Sequence, residues 1–493
     1  MPGSVVSTVT APPANGAPTD TGTAFIAEIF EQGPITPVLV TGIAQAISVY
    51  GADTAATSGA THLEAYFRLG GRRAWVNRIV GPTPVLASIT LNGSGSTPSV
   101  KFSAGTYGTW GNNLRVAVIA GTSSNVKVVL SATTGPLATS PITSGDLADK
   151  AAVLAYTGFS AYGTWSSAGA GTIPVVVAAA NLTGGTDDNA SITDTQRTTA
   201  LTAFTRQKGP GQVMLPGDTR ALAAGLVGVH AAANGRVALY DLPDDPSAAT
   251  VAAAALALRT DTNAAKIIAV EPWAQVPAAI SGGVVRDLPY SIVQAATIAR
   301  QDALPDGNPN QPAAGDNGIA GNWLTGLKYL RTDAELDTLT NNGVNVAIDL
   351  YGDGSVRMYG NRTLTNPTTN PLYLQASNVR LDMMIMARGR NIADRYVFSQ
   401  IDGRGQLAAR YGLDLTNMLK ALPAGALFAL LDLNGDELDP GYFVDTSTGV
   451  GRVNTPTTMA ALQLRAIVGV RRSPAAEFVY LDLVNYPSVQ EFA

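Results

Sequence analysis

The stretch that decides the fold runs from residue 191 to residue 270. It reads SITDTQRTTALTAFTR (191–206), QVML (212–215), TRALAAGLVGVHAAA (219–233), RVALY (236–240), SAATVAAAALALR (247–259) and KIIAV (266–270), with Gly, Pro, Asp and Asn between the segments. The longer segments suit helices, and the short apolar ones suit strands bounded by turn residues. Strand and helix in regular succession imply βαβ units, and so a parallel sheet with helices packed on it.

Before this stretch the pattern changes twice. Between residues 83 and 183 charges nearly vanish, and ASITL, LRVAVIA, VKVVL and IPVVVAAA recur between Gly, Ser, Thr and Pro turns, which reads as an inserted β-rich domain. Residues 24–80 return to mixed character, with a helix over 62–69 ending at Gly70 and Gly71 and a strand over 74–80. Residues 1–23 hold a short β-branched run, Val5 to Val9, followed by APPANGAPTDTGT. That Pro- and Gly-rich segment opposes both helix and central strand, so the expectation is a detached strand on a linker.

After the deciding stretch, residues 303–318 read as a long loop. Residues 343–350 and 355–359 then flank Tyr351-Gly352-Asp353-Gly354 as a β-hairpin. Helices are expected over 379–398 and 406–422, the second with Leu407, Tyr411, Leu415, Met418 and Leu422 on one face. Strands are expected over 427–431, 466–470 and 477–483. The fold class is thus α/β and α+β multidomain: an α/β middle domain with an inserted β-rich domain, and a C-terminal α+β domain. The expected division is 1–23 for an N-terminal arm and linker, 24–82 with 184–320 for the α/β domain, 83–183 for the insertion, 321–485 for the C-terminal domain and 486–493 for a C-terminal arm.

Composition narrows the function. The chain has 493 residues, 46% apolar but only 14% charged, with a net charge of −5 and no cysteine. Without a global basic field, nucleic acid is not an expected partner. Without cysteine there is no disulfide, no thiolate metal site and no cysteine nucleophile. The first residues, MPGSVVSTVT, lack the basic and apolar regions of a signal peptide, and no aliphatic stretch is long enough to span a bilayer, so a soluble protein made in the cytoplasm is expected.

Chemistry-bearing motifs are sparse. The two histidines, His62 and His230, lie in apolar helical patterns and read as structural, and no phosphate loop, H-E-x-x-H or G-x-S-x-G string occurs. Asp241, Asp244 and Asp245 follow one expected parallel strand and Glu271 the next, a position where α/β enzymes gather carboxylates. Asp241, Asp245 and Glu271 are therefore the candidate metal site of an alternative, enzymatic reading, although no basic or histidine partner accompanies them. The competing reading is a loop that caps the helix at Ser247. DLNGDELD (432–439) begins like a calcium loop but has Glu437 at the position of the turn glycine and Phe443 at that of the bidentate acid, so it reads as a polar turn.

One basic stretch stands out. Arg380, Arg388, Arg390, Arg395, Arg404 and Arg410 lie along the two expected helices and the turn between them, with three Asp among them. A solvated face with pairs such as Arg390 with Asp394 is one account, and a docking surface for an acidic protein partner is the other.

Taken in order, several strings resemble the sheath protein of contractile phage tails and related contractile injection systems. They are AFIAEIFEQGP with THLEAYFRLGGRRAWVNRIVG, FSAGTYGTWGNNLRV (102–116), NLTGGTDD (181–188), GQVMLPG, VALYDLP, EPW and RDLPYSIVQAATIARQD. LTNNGVNVAIDLYGDGSVRMYGNRTL and VGVRRSPAAEFVYLDL follow. The resemblance implies a structural subunit, not an enzyme, which needs no cofactor or metal. It would polymerise with itself as stacked hexameric rings around an inner tail tube, meet baseplate and tail terminator proteins, and contract to drive the tube through a target envelope. It would belong to a virion tail or injection particle assembled in a host bacterial cytoplasm, with no nucleic-acid partner and no direct insertion into a membrane. It further implies terminal arms that add strands to neighbouring subunits, here Ser4, Val5, Val6 and Val9 with Tyr486, Val489 and Phe492. The insertion would face outward, and the six arginines from Arg380 to Arg410 would face the tube. Another virion protein, of capsid or fibre, is a further alternative.

Overall fold

The computed structural model describes residues 20–54, 57–278, 284–304, 307–352 and 354–477. The deciding stretch folds as its periodicity requires. Strands Gln212–Met214, Val237–Asp241 and Ile267–Glu271 pair in parallel, with helices Ala221–Asn234 and Ala248–Leu258 between them and helix Asp194–Thr202 before them. Local chemistry sets the ends. Thr193 and Gln196 form a reciprocal capping box at the first helix, and Gly235 closes the second at φ 65°, a left-handed conformation that a side chain would strain.

These strands lie within an eight-stranded sheet. From edge to edge it runs Val356–Tyr359, Val344–Asp349, Ile267–Glu271, Val237–Asp241, Gln212–Met214, Ala24–Glu28, Ala74–Arg78 and Val38–Val40. The six inner strands are parallel, and each edge strand is antiparallel to its neighbour. Successive residues of one strand enter different cores: Phe25, Val213 and Tyr240 face one side, and Ile26, Met214 and Leu239 face the other. Burial on both faces is why these strands read as unbroken apolar runs. The first core is roofed by the three helices above and by Asp333–Asn341, whose Leu339 is fully buried. The second is roofed by Gly59–Arg68, Tyr290–Asp302 and Ala376–Asp394.

The 344–359 hairpin, expected within a unit beginning at residue 321, belongs instead to this large sheet. Val344 and Val346 enter one core while Ala347, Val356 and Met358 enter the other, so the hairpin needs a roof on both sides. Asp353 of its turn is outside the described residues.

The β-rich insertion forms two small sheets with a core of their own. Ser88–Asn92, Pro98–Ala104 and Gly163–Ser167 make one, and Leu114–Ala120, Val126–Ala132, Ile142–Thr143 and Val177–Asn181 make the other. Val100, Phe102, Val116, Val128, Phe159 and Leu182 fill the space between. At its stem the two chain crossings pair at Val85 with Thr186 and Ser88 with Thr183. Arg78 fastens the stem: its buried guanidinium donates to the carbonyls of Phe30, Glu31, Gly33 and Tyr107 and to the Asp187 carboxylate.

Beyond residue 375 two helices, Ala376–Asp394 and Gln406–Lys420, pack together, with the Tyr396 and Tyr411 rings 5.1 Å apart. On the second helix the expected apolar face is only partly right. Leu415 is buried, but Leu407, Tyr411, Met418 and Leu422 are half-buried, while Ala408 and Leu419 are buried and Gly412 packs against Thr446. Tyr442–Asp445 pairs with Ile467–Val470, and a short hairpin joins Leu430–Leu431 to Glu437–Asp439. The strand expected over 427–431 is thus reduced to its last two residues. Of the strand expected over 477–483, residues 478–483 lie outside the described residues.

Candidate functional site

The carboxylates at the ends of the parallel strands are the first candidates. Asp241, buried where its strand meets helix Tyr290–Asp302, accepts from the Ser291 amide at 2.8 Å, the Ser291 hydroxyl at 2.6 Å and the Gly217 amide at 3.1 Å. Burial pushes its carboxyl above the usual range, and the Ser291 and Gly217 bonds offset this only in part. Glu271 is buried and pushed up in the same way, against the opposing pull of Arg331, which donates to it from Nη2 at 2.7 Å and Nε at 3.2 Å. Asp245 accepts from the Ser247 amide at 2.7 Å, at the start of helix Ala248–Leu258. Asp244 holds the Lys328 ammonium at 2.5 Å, and Asp287 holds the same ammonium at 2.5 Å.

These bonds correct the expectation that no basic partner accompanies the carboxylates, since Arg331 and Lys328 come from a segment distant in sequence. Each acid is engaged in fixing a loop or a helix start. Among the described residues no group of three or more His, Asp or Glu is arranged to hold a metal ion. The 432–439 segment is the polar turn expected, with the Asp432 carboxylate accepting from the Asn434 amide at 2.8 Å and the Asp436 amide at 2.9 Å.

Both histidines sit inside. His62 Nδ1 lies 2.9 Å from Glu28 Oε2; burial alone would lower its pKa, but the Glu28 carboxylate prevails and raises it. At His230, Arg236 Nη1 donates to Nε2 at 2.8 Å, so that nitrogen carries no proton. Burial, with the Arg236 charge, holds this imidazole down to about 4.

The six arginines are not one surface. Arg380 is a correction to the expected docking face: it is buried and ion-paired with Asp302, which also accepts from Thr21 Oγ1 at 2.6 Å. A charge at this inward helix position is tolerated because its counter-charge is buried with it. Arg388 and Arg390 are half-buried, whereas Arg395, Arg404 and Arg410 are exposed. Arg395 is 3.3 Å from Asp414 of the second helix, and the Asp394 charge acts favourably on Arg390. Burial lowers the Arg388 and Arg390 pKa values, and the neighbouring Arg206 lowers Arg390 further, so the cations here repel one another.

Ser4, Val5, Val6, Val9, Tyr486, Val489 and Phe492 lie outside the described residues. The feature missed in the sequence is exposed apolar surface near the C-terminal end: Phe398 and Leu433 are fully exposed, and Val397, Leu413, Leu431 and Leu438 are more than half exposed. Pairs such as Leu431 and Leu433 could not be told from core residues by type alone.

No protein-family model matches the sequence, and no curated protein matches it. Solved structures do. The sheath tail protein from Desulfitobacterium hafniense superposes with a TM-score of 0.58 at 15% identity, over 90% of this chain and 93% of that one. A sheath tail protein from Listeria innocua gives 0.58 at 15% identity over 86% and 88%. The helical sheath of the anti-feeding prophage in its contracted state gives 0.53 at 15% identity over 99% of both chains. Over most of its length, then, this chain has the fold of the tail sheath proteins and contractile injection system sheaths.

Proposed function

We propose that the chain is the structural subunit of a contractile sheath, in a phage tail or an injection particle derived from one. The observation that carries this reading is the correspondence with a contracted helical sheath over 99% of both chains. The internal engagement of Asp241, Asp244, Asp245 and Glu271 supports a structural role for them over the enzymatic alternative. Subunits would stack as hexameric rings around an inner tube and contract against a baseplate. A baseplate of the anti-feeding prophage in its contracted state is also a structural neighbour, at a TM-score of 0.54.

Within this reading the terminal segments supply strands to neighbouring subunits, because backbone hydrogen bonds give affinity while a Pro- and Gly-rich linker permits reorientation. The insertion faces outward, since its core is its own and its stem is narrow. Arg388, Arg390, Arg395, Arg404 and Arg410 face an acidic tube, and Arg380 takes no part. Electron microscopy of the purified protein tests the proposal: helical tubes are expected from the full chain, and soluble folded subunits from a chain lacking residues 1–12. Monodisperse full-length monomers under all assembly conditions would refute it, and normal tubes from the shortened chain would refute the strand-exchange part.

A further inference from the structure

Helices Ala221–Asn234 and Ala248–Leu258 carry no Asp, Glu, Lys or Arg. Both roof the large sheet, yet their outer faces are as apolar as their inner ones. Leu222 is 57% exposed, Val229 58% and Leu256 53%, with Leu226 half-buried and alanines between them. The flanking helix Asp194–Thr202 presents Thr195, Thr198, Thr199 and Thr202 outward, and its charged residues Asp194 and Arg197 are ion-paired with Arg220 and Asp218. A helix that is apolar all round is normally buried. At the C-terminal ends of the two helices stand Arg206 and Arg259, which donate to the Ala233 and Asn341 carbonyls, each at 2.7 Å, and are in no ion pair with a described residue.

The same chain carries a surface of complementary character. The hairpin of Leu430–Leu431 and Glu437–Asp439 projects Leu431, Leu433 and Leu438, which are 61%, 106% and 73% exposed. Asp436 and Glu437, both exposed, stand among these leucines with no cation paired to them among the described residues. The turn is held in shape by the Asp432 carboxylate, so little ordering is left to be done on docking. Arg206 and Arg259 thus stand beside one apolar surface and Asp436 and Glu437 beside the other, none of the four ion-paired with a described residue.

We infer that the 430–439 hairpin of one subunit docks on the Ala221–Asn234 and Ala248–Leu258 helices of a second copy of this chain, leucines against the apolar face and Asp436 and Glu437 toward Arg206 and Arg259. The inference rests on the sheath reading above and names a contact within it. Because the two surfaces differ, the contact is head-to-tail, the kind that propagates into rings or helices instead of closing as a dimer.

The chain has no cysteine, so a cross-link can be placed cleanly. Val229→Cys and Leu433→Cys chains are mixed, assembled into tubes and treated with a short bis-maleimide. A cross-linked dimer is expected in the mixture and not in either variant alone. In parallel, Asp436→Arg with Glu437→Arg should raise the concentration needed for polymerisation about tenfold, and Arg206→Glu with Arg259→Glu in the same chain should recover most of that loss. Tubes that form without the mixed cross-link, or with an unchanged polymerisation threshold in the Asp436 and Glu437 variant, overturn the contact while leaving the sheath reading intact. A wild-type chain that forms no tubes at all defeats the sheath reading and this inference together.

Discussion

Two arginines at opposite ends of one helix show what context does to a single residue type. Arg380 is sealed against Asp302, whereas Arg395 lies in water with a loose contact to Asp414. Replacing Arg380 by Ala should cost about 3–5 kcal/mol, because it strands a buried carboxylate. Replacing Arg395 by Ala should change stability by no more than about 0.5 kcal/mol. Denaturant titration of the two variants checks the contrast, and equal effects would contradict the burial. The histidines give a second residue-level test. The folded-state pKa of His230 is depressed to about 4 from 6.5, so the unfolded chain binds more protons between those values. Its contribution is full above pH 6.5 and is lost as pH falls toward 4. His62 is raised, so its contribution is full below 6.5 and is lost as pH rises through its folded value. Melting temperatures across this range should fall less steeply on the acid side for His230→Gln, and less steeply on the alkaline side for His62→Gln. Unaltered profiles would show that the pairs with Arg236 and Glu28 do not govern them.

At the scale of elements, the insertion offers the clearest test. Its core shares no residue with the two cores of the large sheet, and the chain enters and leaves through paired strands. Joining Val85 to Thr186 through two glycines should leave a protein that melts cooperatively and has lost β signal in circular dichroism. The expected penalty is about 1 kcal/mol, from the Tyr107 carbonyl that Arg78 would no longer reach. Complete unfolding would mean that the insertion supports the sheet it interrupts. The C-terminal helices carry a second test. Reversing Arg388, Arg390 and Arg395 to Glu should weaken tube-templated assembly and remove its salt dependence, while tube-free polymers still form. Exposed ion pairs worth about 0–1 kcal/mol each can hold register together and still release one by one, which a large apolar contact could not.

For the whole molecule, legibility follows distance along the chain. The sequence by itself determined the succession of strands and helices from 191 to 270, the parallel pairing they imply, the separate β-rich insertion and the two C-terminal helices. These depend on a period of 3.6 or 2 and on turn residues, all written within a few neighbouring positions. Tertiary structure alone decided that Ala24–Glu28 lies between Gln212–Met214 and Ala74–Arg78, and that the 344–359 hairpin closes the same sheet. It also decided that Glu271 meets Arg331, that Arg380 turns inward to Asp302 and that Arg78 locks Asp187. Those pairings join residues 60, 78 and 109 positions apart. A charge in a sequence does not say whether it will be solvated or buried. That depends on which opposite charge the folded sheet brings beside it, because a buried ion is tolerable only with its partner in place.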